Sequence, residues 1–154
     1  MNKFKKLFSN DLIFLNVDYK TKEELVEDIS KKLKEDNRVK DTFLKAITDR
    51  EIEYPTGLPI EPIGVAIPHT DPEHVIEPCI VIIKPNNPIM FKEMGQGEND
   101  IPCKFIFMLV IKNNGEQVEL LQNLISIFVN EENMNLLNNC KNEKEIYELI
   151  QTLI

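Results

Sequence analysis

Residues 65–75 read VAIPHTDPEHV and hold both histidines of the chain, His69 and His74. An apolar run leads into Pro68 and His69, and Pro72 follows three residues later. Prolines restrict the backbone on both sides of the ring, and Asp71, which precedes Pro72, is biased away from helix. A fixed imidazole where a strand leaves a sheet suits a general base, a metal ligand or a phosphoryl acceptor. By position alone, a loop histidine that merely hydrogen-bonds is an equal alternative. A metal site is the weakest reading. His69, Asp71, Glu73 and His74 offer nitrogen and oxygen ligands, but the H-x-x-x-x-H spacing does not align both rings on a helix, and no third histidine exists. His74 reads as a partly exposed loop residue.

Arg50 is the second candidate. Of the 18 lysines and arginines only Arg38 and Arg50 are arginine. A guanidinium fork can grip phosphate oxygens with two parallel bonds, which an ammonium cannot do. Arg50 stands just before the Pro/Gly-rich stretch leading to His69, although by composition alone a surface ion pair with Asp49, Glu51 or Glu53 is the stronger reading. Neither G-x-x-x-x-G-K-[ST] nor G-x-G-x-x-G occurs, and the chain has only five glycines. A histidine that handles phosphate without a nucleotide must receive it from another protein.

These residues need a scaffold. The 154 residues suit one domain over 1–154, long enough to bury roughly two-thirds of the surface the unfolded chain exposes. With 42% hydrophobic and 29% charged residues the composition is that of a globular protein. A net charge of −8 argues against nucleic acid as a partner. Cys79, Cys103 and Cys140 are far apart and odd in number, so inert thiols are expected rather than disulfides. The opening MNKFKKLFSNDLIFL is interrupted by Asn10 and Asp11 and is not read as a signal peptide. No apolar run approaches the roughly 20 residues a bilayer span needs. A cytoplasmic location without membrane insertion is expected.

Hydrophobic periodicity supplies the elements. LIFLNV (residues 12–17), IGVAI (63–67), CIVIIK (79–84) and KFIFMLVI (104–111) read as strands, three of them apolar enough to be covered on both faces. TKEELVEDISKKLKED opens with a Thr21/Glu24 capping box and repeats Leu25, Val26, Ile29 and Leu33 at helical spacing. A second helix is expected within residues 38–54, with Val39, Phe43, Leu44 and Ile47 inward. A third starts near Gln117, with Val118, Leu121, Leu124, Ile125 and Phe128 inward, and two shorter helices follow. NNPIMFKEMGQGENDIP reads as a surface excursion rich in turn residues. The order β-α-α-β-β-β-α-α-α predicts an α/β single-domain sandwich, a mixed β-sheet flanked by helices.

The stretch DREIEYPTGLP together with VAIPHTDPEHV resembles the enzyme IIA components of the bacterial sugar phosphotransferase system, of the mannitol/fructose type. The match runs over nearly the whole chain. YPTGLP read with the HTDPEHV extension is most similar to the galactitol-specific branch. The resemblance implies a phosphotransferase component with a phosphohistidine intermediate and no cofactor. It takes a phosphoryl group from the histidine-containing phosphocarrier protein and passes it to a IIB component for galactitol-like sugar uptake. Carried over by motif, His69 is the phosphoryl acceptor and donor, and Arg50 and Thr56 stabilise the phosphate. Gln117 stands where many relatives have a second histidine, so its role is confined to hydrogen bonding with phosphoryl oxygens or with His69. Glu61, in the same proline-rich loop, is a candidate to orient the His69 ring. An apolar docking patch is expected around His69, drawn from the GLPI loop and the helix that begins at Gln117. Two other readings stay open: a regulatory relative whose phosphohistidine controls a protein partner, and a non-catalytic binding module.

Overall fold

The computed structural model describes residues 2–95 and 98–154. Its centre is a six-stranded mixed sheet. The strands are β1 (Ile13–Val17), β2 (Gly57–Leu58), β3 (Gly64–Ala66), β4 (Cys79–Pro85), β5 (Ile89–Lys92) and β6 (Asp100–Val110). They lie in the order β1-β4-β6-β3-β2, and β5 pairs with the first half of β6. β1 runs parallel to β4 and β3 parallel to β6, while β4 and β5 run antiparallel to β6.

Five helices follow or interleave among the described residues: α1 (Lys22–Glu35), α2 (Phe43–Glu53), α3 (Asn114–Phe128), α4 (Glu131–Asn139) and α5 (Glu143–Leu153). They cover both faces, and strand alternation shows it. In β6, Phe105, Phe107 and Leu109 join a core with Leu120, Leu124 and Phe128 of α3. Ile106, Met108 and Val110 join the opposite core, with Leu25 and Ile29 of α1 and Phe43 and Ile47 of α2. A strand buried on both sides must be apolar at every position, as Cys79–Ile83 and Phe105–Val110 are. Cys79 and Cys103 are buried free thiols, and burial pushes the pKa of each up to about 12.

The α/β sandwich and its mixed sheet agree with expectation; several details do not. The stretch read as a surface excursion contains β5, whose Ile89 and Phe91 alternate inward against β6. β2 is two residues long, too short to leave a periodic signal. Helix α2 starts at Phe43, not near Arg38, and Leu44 is 38% exposed. Helix α3 buries Gln117, Leu120, Leu124, Ile127 and Phe128, whereas Val118 is 57% exposed and Leu121 and Ile125 are only partly covered. Its apolar residues encircle much of the helix, so periodicity allowed two stripes, and contact with the sheet selected one. At α1, Thr21 Oγ1 accepts the Glu24 N–H as a cap should, and the Glu24 carboxylate reaches back to the Lys20 N–H.

Candidate functional site

β3 delivers His69. The strand pairs with β6 up to Ala66, and the parallel alignment persists as a bridge between His69 and Leu109, where the Leu109 N–H donates to the Pro68 carbonyl at 3.0 Å. Pro68 and His69 thus leave the sheet beside the C-terminal end of β6, the place where α/β sheets bind ligands. On the other edge, β2 and β3 form a tight antiparallel pair, Gly57 opposite Ala66, and the Ile67 N–H donates to the Thr56 carbonyl. That pairing brings Thr56 next to the exit of β3. Arg50 comes from the last turn of α2, where a cation also complements the helix dipole.

These residues meet. A cavity of about 300 Å³ is lined by Arg50, Glu53, Tyr54, Pro55, Thr56, His69, Met94, Gly95 and Leu121. The His69 Nδ1 lies 2.8 Å from the Ile67 carbonyl oxygen. A carbonyl only accepts, so Nδ1 carries the hydrogen and Nε2 keeps the lone pair. The orienting group is therefore a backbone carbonyl two residues upstream, not Glu61, which is exposed. Burial lowers the His69 pKa from its ordinary value, and the Arg50 charge lowers it further, against the opposing effects of the Ile67 bond and Asp71. The ring is neutral at neutral pH and its Nε2 is nucleophilic.

The Arg50 guanidinium stacks on Tyr54, 4.6 Å from the ring centroid. Its Nη1 reaches Asp71 Oδ1 only at 3.5 Å, and its buried Nε finds no acceptor among the described residues. An arginine held by stacking with donors unspent can receive an oxyanion. Asp71, rather than Asp49, Glu51 or Glu53, is its carboxylate partner. Neither Tyr54 nor Asp71 is legible in the sequence as an Arg50 partner, because stacking and a pairing 21 residues apart leave no local pattern.

Thr56 and Gln117 are both present but committed elsewhere. Thr56 is 2% exposed; its N–H donates to Glu51 Oε2 at 2.7 Å and its hydroxyl lies 2.6 Å from Glu51 Oε1. Gln117, 8% exposed in the first turn of α3, spends one amide hydrogen on the Thr70 carbonyl, 3.3 Å away, and so braces the loop just after His69. By sequence alone Glu51 reads as a surface partner of Arg50. It is instead 4% exposed, and burial raises its pKa to about 7. His74 lies outside the cavity lining. Its Nδ1 is 2.7 Å from Thr42 Oγ1 and its carbonyl accepts the Lys40 N–H, so it ties the loop to the start of α2.

Comparisons with known proteins bear on the family and the fold. Residues 6–152 match the family model described as phosphoenolpyruvate-dependent sugar phosphotransferase system, EIIA 2. Galactitol-specific EIIA components of the phosphotransferase system, from Escherichia coli strains including K12, are 32% identical over 84 residues. That alignment covers 54% of this chain and spans 55%, about half, of theirs. A mannitol-specific phosphotransferase enzyme IIA component of Staphylococcus aureus is 28% identical over 150 residues, 95% of this chain and 96% of that one. Among solved structures, the mannitol IIA of Escherichia coli aligns with a TM-score of 0.72 at 22% identity, covering 93% of this chain and 98% of that chain. The IIA protein in the complex of Escherichia coli mannitol IIA with phosphorylated mannitol IIB aligns with a TM-score of 0.76 at 21% identity, covering 94% and 97%. At such identities these structures share the fold. With the family model covering nearly all of its length, the chain belongs to the EIIA type 2 family of the phosphoenolpyruvate-dependent sugar phosphotransferase system.

Proposed function

We propose that this protein is a cytoplasmic phosphocarrier whose His69 Nε2 accepts a phosphoryl group from the histidine-containing phosphocarrier protein and yields it to a IIB component. The observation that carries the reading is the Nδ1–Ile67 hydrogen bond: it leaves Nε2 as the free nitrogen of a neutral ring that shares a cavity with Arg50. The Nε2 lone pair attacks phosphorus, the new P–N bond forms as the donor's P–N bond breaks, and the hydrogen stays on Nδ1. Transfer through a loose transition state places charge on the equatorial oxygens, so the protein's work is positioning and charge stabilisation. Arg50 neutralises those oxygens with its unspent donors. Gln117 holds the backbone after His69, and its second amide hydrogen remains for an oxygen of the transferred group. Thr56 closes the opposite side of the cavity.

The galactitol-like branch is favoured by the 84-residue alignment at 32% identity. Incubation with phosphoenolpyruvate and the donor proteins, followed by peptide mapping at alkaline pH, tests the carrier reading. One phosphate on His69 and none in His69→Ala is expected; label on His74 overturns it. Pairing the loaded protein with galactitol-type and mannitol-type IIB components separates the sugar branches, with faster transfer to the galactitol type expected.

A further inference from the structure

Glu51 has no place in the transfer described above, yet it is the most constrained carboxylate near it. Both its oxygens go to one residue, Oε2 to the Thr56 N–H and Oε1 to the Thr56 hydroxyl. Among the described residues it joins no ion pair. Lys22 of α1 shares its cleft but lies 3.5 Å from Glu23, and Lys92 of β5 pairs with Asp100. Glu53 lines the same cleft, and the neutral Cys103 thiol of β6 is the remaining titratable group nearby. Thr56, in turn, lines the cavity of His69 and Arg50.

The 2.6 Å contact between Thr56 Oγ1 and Glu51 Oε1 contains one hydrogen, which can come from either side. If Glu51 is ionised, the hydroxyl must supply it, and Thr56 then offers the cavity only lone pairs. If Glu51 is protonated on Oε1, the carboxyl supplies it and the Thr56 hydrogen is free to turn elsewhere. Oε2 accepts the Thr56 N–H in both cases, so the heavy atoms need not move. Burial raises the Glu51 pKa to about 7, against the lowering effects of the two Thr56 hydrogen bonds and of Lys22, so both forms are populated at neutral pH. Lone pairs repel a phosphoryl dianion and a hydroxyl hydrogen attracts it.

We propose that Glu51 is a proton-linked positioning residue for the His69 site: loading His69 draws one proton from solvent onto Glu51 Oε1 and turns the Thr56 hydroxyl into a donor towards the phosphoryl group. This rests on the carrier reading of His69. The exchange of P–N bonds moves no proton of its own, so the proton taken up at Glu51 returns to solvent when the phosphoryl group leaves. The cleft beside Lys22 and Glu53 is its route.

Phosphorylation of the wild-type protein on His69 is established first; its failure sinks the carrier reading and leaves Glu51 to be judged by its titration alone. Transfer rates are then measured from pH 6 to pH 8 with one donor preparation for wild type, Glu51→Gln and Thr56→Val. The carboxamide introduced by Glu51→Gln can donate to Thr56 Oγ1 and accept from the Thr56 N–H, as the protonated acid does. With a midpoint near 7, the wild-type rate relative to Glu51→Gln should fall about tenfold over this range. Thr56→Val should be slow at every pH. A wild-type to Glu51→Gln ratio that stays constant with pH means a merely structural role and overturns the proposal. The ¹³C shift of the Glu51 carboxyl in wild type gives an answer independent of how the variants fold. A midpoint near 7 that rises on loading supports the proposal; a midpoint in the ordinary carboxylate range, or one unmoved by loading, refutes it.

Discussion

At Arg50 the planar fork matters as much as the charge. The guanidinium is laid flat on Tyr54, which aims its donors without spending them. Lysine keeps the charge but loses the stacking and the second bond. Arg50→Lys should lose one charge-assisted contact in the transition state, about 1.5–3 kcal/mol, or roughly 10- to 150-fold in transfer rate. The urea midpoint should hardly change, since the side chain is about one-third exposed. A wild-type transfer rate in this variant would make Arg50 a surface charge. The same arginine also tunes His69. Burial, then the Arg50 charge, lowers the His69 pKa, so the folded state binds fewer protons than the unfolded chain. The sign follows: His69 contributes stability above the ordinary histidine value of 6.5, and loses it as pH falls from there through the depressed folded value. In an NMR titration the ring midpoint should lie below 6.5, and Arg50→Gln should raise it while leaving it below that value, because burial, the larger cause, remains. An unmoved midpoint would show that the Arg50 charge does not reach the ring.

Among the elements, β3 is a short strand on which much depends. Its three residues set the direction of the chain that ends at His69, and they fit because Gly64 lets β3 approach β6 closely. A Cβ at Gly64 would sit 2.6 Å from the Pro102 carbonyl oxygen, nearer than real Cβ atoms come, and the obstacle is backbone. Gly64→Ala should therefore push β3 off β6, lowering both the thermal midpoint and the rate of phosphoryl transfer. Unchanged values in both would show that the sheet accommodates the methyl group. Helix α3 gives a cleaner contrast. Leu120 is fully buried and Val118 is 57% exposed, though both are apolar and two residues apart. Leu120→Ala should cost about 2–5 kcal/mol in urea unfolding through lost burial and a cavity, and Val118→Ala no more than about 0.5 kcal/mol. Equal costs would place the wrong face of α3 against the sheet.

For the molecule as a whole, the net charge of −8 bears on the proposed acceptance of an anionic group. The distribution of side chains eases the repulsion. The His69 cavity is lined by Tyr54, Pro55, Met94 and Leu121, with Glu53 and Asp71 as the nearby carboxylates. An apolar surround is present as expected, and its source agrees in part: Leu121 of α3 lines it, while the GLPI loop does not. Leu58 of the GLPI loop is buried in the core, and Tyr54 and Pro55, just after α2, supply the rest of the surface with Met94. Apolar centres with polar rims are usual for protein interfaces. Raising salt should slow docking with the phosphorylated donor while sparing the chemical step. In stopped-flow experiments the second-order rate should fall with salt and the rate at saturating donor should not. Equally steep declines would mean that the charges act in the chemistry.

The chain's one-dimensional order was enough to determine the α/β class, the apolar central strands and the first helix, because each rests on a period of about 2 or 3.6 in side-chain polarity. The same order marked His69 by its prolines and Arg50 by its rarity. It also carried the family, since VAIPHTDPEHV is a contiguous motif. Only the tertiary structure decided the rest. β2 and β5 are defined by their partners, being too short or too turn-flanked to show a period. The inward face of α3 was settled by which residues met the sheet. The acceptor that fixes the His69 tautomer is a backbone carbonyl, and every residue has one, so no residue type could point to it. Glu51 looked like any acidic residue beside an arginine until the end of α2 turned inward and the loop folded Thr56 over it. Burial and hydrogen-bond pairing are properties of a residue's surroundings, and those surroundings come from segments far apart in the chain.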